Sequence, residues 1–351
     1  MSVFSGASLR CVVLHVVGVL LIFAGVGLVA ITAHSLMNYR VAAERHGGEM
    51  IDLGSDASLQ AGQYGHMARV VGIPSVVEPP TDTEFGLKTD TPVLVRHVEM
   101  FQWRELHFGN EVTYELAWVD RLLDASHFDQ PAGHTNPASF PISGKKFDAK
   151  LVQVGGFRLA PELVQALPGS STVEPDLKSL PPNLAASFSL YQQYLTTSSQ
   201  PNSPRVGDVR VSWDEIPLSQ VTVFARIDGD RLVPAADAAD GKGYDVEIGD
   251  VSLFNMLPDM PIPPQFVTAR RIAAVLLAAL GTLVMLVARN RRRDPLLALG
   301  LGALVVGAVS TMLWLGHDTA SMAGWLLVTV LSMALAVWRL RRHKRRTTDR
   351  P

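Results

Sequence analysis

Four long apolar runs frame a stretch in which hydrophobic and polar residues alternate. The runs cover residues 12–33, 271–288, 296–315 and 320–338. At about 1.5 Å per helical residue each is near the length that crosses a hydrocarbon core of about 30 Å, and the second is the shortest. They predict four transmembrane helices, one near the N-terminus and three near the C-terminus. The first run is longer than the apolar region of a signal peptide, so a retained signal anchor is expected, although Ala30, Ile31, Thr32 and Ala33 form a passable cleavage sequence.

Between the runs the period falls to two, the period of a strand with one buried face. Val112, Tyr114, Leu116 and Trp118 alternate with Thr113, Glu115 and Ala117, and residues 93–106 precede them through Phe108, Gly109 and Asn110. This pair predicts an antiparallel hairpin. Val209, Val211 and Trp213 alternate with Arg210, Ser212 and Asp214, while Val221, Val223, Ala225 and Ile227 lead to Asp228-Gly229, a two-residue turn signal. The strands group into two predicted β-modules, about residues 60–160 and 205–255. Residues 168–183 and 196–204 are rich in Pro, Ser and Asn and predict loops, with a short helix over 184–195 between them. Four prolines within residues 257–264 predict an extended stalk.

Charge gives the runs a direction. Arg289 and Arg291 to Arg293 follow the second run, and Arg339, Arg341, Arg342, Lys344, Arg345 and Arg346 follow the fourth. The positive-inside rule makes both stretches cytoplasmic. Residues 1–11, the loop 289–295 and the tail 339–351 are then inside, and residues 34–265 form the outer domain. Arg270 and Arg271 oppose this, but two arginines are outvoted and their stems reach the headgroups. Residues 40–269 hold 17 Lys and Arg against 30 Asp and Glu, whereas the rest holds 14 against 3, so the net charge of −2 hides an acidic outer domain on a basic membrane base. An acidic domain excludes nucleic acid as a partner, and the cytoplasmic arginines fit anionic lipid. Apolar residues make up 48% of the chain and charged residues 18%, on the membrane side of the soluble average. Arg outnumbers Lys 24 to 7, a composition of GC-rich bacterial genomes. The predicted fold is a polytopic α-helical membrane protein, four transmembrane helices carrying one large β-rich (α+β) extracytoplasmic domain.

Candidate chemistry is sparse. Cys11 is the one cysteine, so no intrachain disulfide forms, and it is expected as an inert thiol facing lipid. No zinc protease signature, P-loop, dinucleotide glycine pattern or nucleophile elbow occurs. Residues 237–247 resemble a calcium loop only superficially, because Ala236 and Ala238 stand where its first carboxylates belong. His97, Glu99 and Glu105 share a strand face that His107 can join, but pairing with Arg96, Arg104 or Arg121 is the expected use. His15, inside the first span, is expected to bond a neighbouring helix as a neutral imidazole. His317 and Asp318 fall in the turn between the third and fourth spans, where exposed polar residues are ordinary. Ala274, Ala278 and Thr282 on the second span, and Ala303, Gly307 and Thr311 on the third, are small residues spaced by four. These two stripes are expected to pack against each other or against a second copy.

Four segments, Asp82-x-x-Phe85-Gly86, the run from Arg96 to Glu105, Asn136-Pro137 and the run from Val206 to Trp213, occur in an order that resembles the transmembrane protein 43 family, also called LUMA. The likeness extends over nearly the whole chain. Phe101 stands where the family has Tyr and Trp213 where it has Phe, both aromatic exchanges. The resemblance implies structural roles for Phe85, Gly86, Glu99, Met100, Gln102, Trp103, Gly207 and Asp208, and as large aromatics Phe101 and Trp103 are expected in the core. It also implies a lumen-facing loop and residence in endoplasmic reticulum or inner nuclear membranes in animals, or in an inner membrane with a periplasmic domain in bacteria. The function expected is a membrane-anchored scaffold that organises membrane proteins or lipids, without enzymatic activity and without a cofactor or metal. Its expected partners are other membrane proteins, anionic lipids and a second copy of the chain. The alternatives are an extracytoplasmic enzyme of unknown reaction and a channel or transporter accessory subunit.

Overall fold

The computed structural model describes residues 6–55, 62–290 and 294–348. Residues 1–5 of the expected cytoplasmic N-terminus, Arg291 to Arg293 of the expected basic loop and residues 349–351 of the expected tail lie outside them. The chain divides into two compact units, one built from its two ends and one spanning Ala43–Pro258.

The first unit contains helices α1 (Gly6–Arg45), α2 (Val267–Asn290), α3 (Pro295–Leu313) and α4 (Thr319–Thr348). All four are long and apolar enough to cross a membrane. α1 and α4 run on beyond the apolar runs, because no Gly or Pro interrupts residues 34–45 or 339–348. Apolarity marks the span; it does not mark the helix end. Asp294 accepts the Leu297 N–H at 3.1 Å and starts α3 as its N-cap, with Pro295 in the first turn.

Small residues set the helix contacts, and α2 uses them against both α1 and α3. Ala274 and Ala278 are fully buried, and a Cβ on Gly25 of α1 would lie 2.5 Å from Ala274 O. A Cβ on Gly281 would meet Gly18 O at the same distance, so α1 and α2 approach backbone to backbone. From α3 it is Gly302 that meets Ala278 and Ala279, while the Thr282 hydroxyl donates to Ala298 O at 2.7 Å. Ala303 is buried, but Gly307 abuts Thr329 of α4, and the Thr311 hydroxyl bonds back to Gly307 O. The α3 stripe is therefore divided between two neighbours. Cys11 donates to Ala288 O of α2 at 3.4 Å, so its thiol does not face lipid. His15 bonds Cys11 O of its own helix at 2.7 Å, where a neighbouring helix was expected.

Five strands dominate the second unit: β1 (Met67–Gly72), β2 (Val93–Phe108), β3 (Glu111–Val119), β4 (Val209–Glu215) and β5 (Val221–Asp228). One sheet of eight strands runs in the order Met50–Gly54, β1, β5, Arg231–Val233, Phe157–Leu159, Leu151–Val154 and Ser75–Glu78, with Asp245–Ile248 also on β5. A second sheet of seven strands runs Ser189–Tyr191, Tyr194–Thr196, β4, β2 and β3, with Ser171–Val173 on β4 and Lys145–Asp148 on β2. Both sheets take strands from both halves of the unit, so the predicted modules 60–160 and 205–255 are not separate. Alternation identifies a strand's buried face without identifying its neighbour, and β4 and β5, adjacent in sequence, enter different sheets.

The predicted hairpin is β2 and β3, closed by Gly109 and Asn110 with Gly109 at φ +63°. The second turn is Gly229 and Asp230, one residue beyond its signal. The helix expected over 184–195 is one turn, Pro182–Ala185, followed by a hairpin that turns at Gln192. Phe188 and Leu195 are drawn into the second core beside Phe85 and Trp213, and this tertiary contact overrides their helical spacing. Each sheet covers its own core, and β2 serves both: Val93 enters the first, while Leu94, Val98 and Met100 enter the second.

Candidate functional site

The segments that carry the family likeness converge on β2 and β4. Asp82 is fully buried and accepts the Arg96 guanidinium on both oxygens at 3.0 Å and the Trp213 indole N–H at 3.0 Å. Arg96 also pairs with Glu84 at 2.7 Å and donates to Ser143 O. Its guanidinium lies 5.0 Å from the Phe85 ring centre, and Phe85 meets Trp213 edge-on at 4.9 Å. A Cβ on Gly86 would fall 2.6 Å from Ser179 O at φ +71°, which requires glycine. Every charge in this node is paired and hydrogen-bonded, the condition under which a buried ion pair fixes one packing arrangement.

Further along β2, β4 ends its pairing at Val209 opposite Met100. The free edge of β2 is then satisfied piece by piece. Phe101 N–H donates to Asp208 O, and Gly207, at φ +93°, donates to Phe101 O. Asp208 accepts the Arg205 N–H at 2.7 Å and closes that turn. Next, the Asn136 side chain stands in for a peptide group, accepting Trp103 N–H at 2.8 Å and donating to Trp103 O at 2.9 Å and Leu123 O at 3.1 Å. Gln102, fully buried, donates to Arg121 O and accepts Leu123 N–H. Gln102 and Asn136 together clamp the segment after β3 onto the hairpin. Trp103, expected in the core, is half-buried, with His134 edge-on at 4.7 Å. Asn136 was not among the expected site residues; its signal was the Asn136-Pro137 segment.

The outward face of these strands lines an open groove of about 1190 Å³. Register places Glu99 opposite Arg210, and the two pair at 2.5 Å, where Arg96, Arg104 and Arg121 had been the expected partners. The Arg210 guanidinium lies between Trp118 at 4.8 Å and Tyr194 at 5.6 Å, a cation–π arrangement. His97 faces Asp214 at 3.2 Å, and Arg104 pairs with Glu115. Glu105 accepts the Tyr114 hydroxyl at 2.7 Å, the Asp129 N–H at 2.7 Å and His107 at 2.8 Å. The Tyr114 hydroxyl, with the Asp129 N–H and His107, holds the Glu105 carboxyl below its ordinary value against the opposing effect of burial. Burial first, then the bond to Glu105, pushes the Tyr114 phenol up. A carboxylate held ionised beside a phenol held protonated is poorly placed to exchange a proton near neutral pH. Among the described residues no group of three or more His, Cys, Asp or Glu could hold a metal ion. The groove is lined by aromatic rings and paired charges.

The family model described as "Transmembrane protein 43" matches residues 100–341, from within β2 to α4. The likeness read from the sequence began earlier; Phe85, Gly86 and Glu99 precede the matched range. Among curated relatives, transmembrane protein 43 of Rattus norvegicus is 28% identical over 192 residues, covering 48% of this chain and 47% of the relative. The protein of that name from Homo sapiens is 27% identical over 192 residues with the same coverage. The transmembrane protein 43 homolog of Drosophila melanogaster is 24% identical over 196 residues, covering 51% of each. The chain spans about half the length of the curated relatives it matches. No solved structure matches it. A match running from the central hairpin through three of the four spanning helices settles membership: the chain belongs to the transmembrane protein 43 family.

Proposed function

We propose that this membrane protein is a scaffold whose β-rich unit lies outside the cytoplasm and holds other membrane proteins. The observation that carries the reading is the ribbon of β2 and β3. β3 is the edge of its sheet, with no strand beyond it among the described residues, and it borders the aromatic groove. An unpaired edge offers a partner backbone hydrogen bonds, and aromatic side chains beside it supply contact area. Leu116 is 39% exposed and Phe108, at the tip, 65%. Partner sets are compared after purification in mild detergent of the parent, Leu116→Glu and Trp118→Glu. The variants should keep membrane insertion and lose specific partners; an unchanged set would place the partner surface elsewhere.

The orientation rests on the basic residues that follow the second and fourth apolar runs. A periplasm-active reporter fused after Pro351 should be silent and one inserted near Ser199 active. The opposite pattern would invert the topology.

A further inference from the structure

A second site lies within the helical unit, at the end of the bundle where α1 finishes and α2 and α4 begin. Arg40, Arg271, Asp318, Ser321, Gly324 and Trp325 line a cavity of about 530 Å³. Asp318 accepts Arg40 Nη1 at 2.6 Å and the Ala320 N–H at 3.0 Å. It therefore caps α4 and neutralises Arg40, whose guanidinium also lies 5.3 Å from the ring centre of buried Trp314. The turn that carries Asp318, expected to be ordinary exposed polar surface, is thus tied to α1.

Arg271 is different. It is half-buried, its guanidinium lies 5.8 Å from the ring centre of Trp325, and it forms no ion pair with a carboxylate among the described residues. Two guanidiniums and one carboxylate leave a single net positive charge in an open cleft. An arginine removed from bulk water without a counter-anion is costly, and its planar fork matches phosphate oxygens. The cavity opens at the ends of spanning helices and beside two tryptophans, the arrangement typical of the headgroup level. A Cβ on Gly324 would meet nothing within 4 Å, so the absent side chain leaves the cavity open.

We propose that this cavity binds the phosphate of an anionic phospholipid headgroup against Arg271. Phosphate chemistry is shared with free inorganic phosphate; the position at the ends of the spans makes the lipid the occupant. The proposal is independent of the partner surface on β3 and fails or stands without it.

The test uses the full chain purified in a neutral detergent, with lipid binding followed by native mass spectrometry. The probes are phosphatidylglycerol, chain-matched phosphatidylcholine and sodium phosphate. Phosphatidylglycerol should bind more tightly than phosphatidylcholine. Arg271→Gln should weaken it about tenfold, the effect of losing one charge-assisted hydrogen bond. Gly324→Leu, which projects a side chain into the cavity and keeps both arginines, should weaken it to a similar degree and decides the matter if Arg271→Gln does not fold. Arg270→Gln, an exposed neighbour at the same depth, should change binding by less than about twofold. Parent-like affinity in Gly324→Leu, or an equal loss in Arg270→Gln, would reduce the site to diffuse surface charge and overturn the proposal. Inorganic phosphate competing as well as the lipid would overturn the lipid as occupant.

Discussion

Replacing Asn136 with alanine removes three hydrogen bonds at once: the acceptor for Trp103 N–H at 2.8 Å and the donors to Trp103 O at 2.9 Å and Leu123 O at 3.1 Å. A hydrogen bond is worth about 0.5–1.5 kcal/mol net. The site is part-buried and water recovers some of it, so the expected loss is about 2 kcal/mol. Asn136→Asp separates hydrogen bonding from shape. It keeps the acceptor but sets a carboxylate oxygen against two backbone carbonyls, so near neutral pH it should be less stable than Asn136→Ala. Its folded pKa is then raised above the unfolded value of about 3.9. The penalty is present above that raised value and is relieved as pH falls through it. Two assays apply to the full chain in detergent: denaturation followed by tryptophan fluorescence, and hydrogen exchange of peptides containing Trp103. Exchange at Trp103 should rise in Asn136→Ala while the amides of β1 and β5 stay protected. Stability unchanged within about 0.5 kcal/mol, with Trp103 still protected, would refute the view that this side chain completes the edge of β2.

Other outcomes follow from burial and contact. Trp213→Ala, at a fully buried site, should cost about 3–5 kcal/mol, and Trp103→Ala, at a half-buried one, less than half of that; equal losses would contradict the burial argument. Gly281→Leu should still insert but lower thermal stability in detergent, because its Cβ would meet Gly18 O at 2.5 Å, whereas Gly27→Leu, with no atom within 4 Å, should not. Matching melting temperatures would dismiss the close approach of α1 and α2. Glu105 has a folded pKa below its unfolded value, so its stabilisation is present above about pH 4.3 and is lost as pH falls through the folded value. Glu105→Gln should therefore flatten the acid limb of the stability profile below about pH 4.3, and an unchanged limb would show that the Tyr114 bond adds nothing.

Some of this architecture was present in the sequence because its cause is local. An apolar run long enough for a bilayer needs no partner to be recognised, and the structure places a helix on each of the four. The β2–β3 hairpin was equally legible, since alternation and Gly109-Asn110 fix two neighbouring strands and the turn between them. The short helix expected over 184–195 failed because Phe188 and Leu195 are placed by a core containing Phe85, about a hundred residues distant in the chain. Sheet membership was illegible for the same reason: the pattern of β4 and β5 shows which side chains turn inward and not which strands they meet. The same limit applied to the helices, where the small-residue stripes were visible but Gly302 proved to face α2 and Gly307 to face α4. Charge pairing was the least predictable part. Glu99 with Arg210, Arg40 with Asp318 and the unpaired Arg271 depend on strand register and helix position, and only the tertiary structure brings residues 111 and 278 positions apart within bonding distance. Sequence determined where the chain is apolar and where it turns; the folded backbone decided which charges meet.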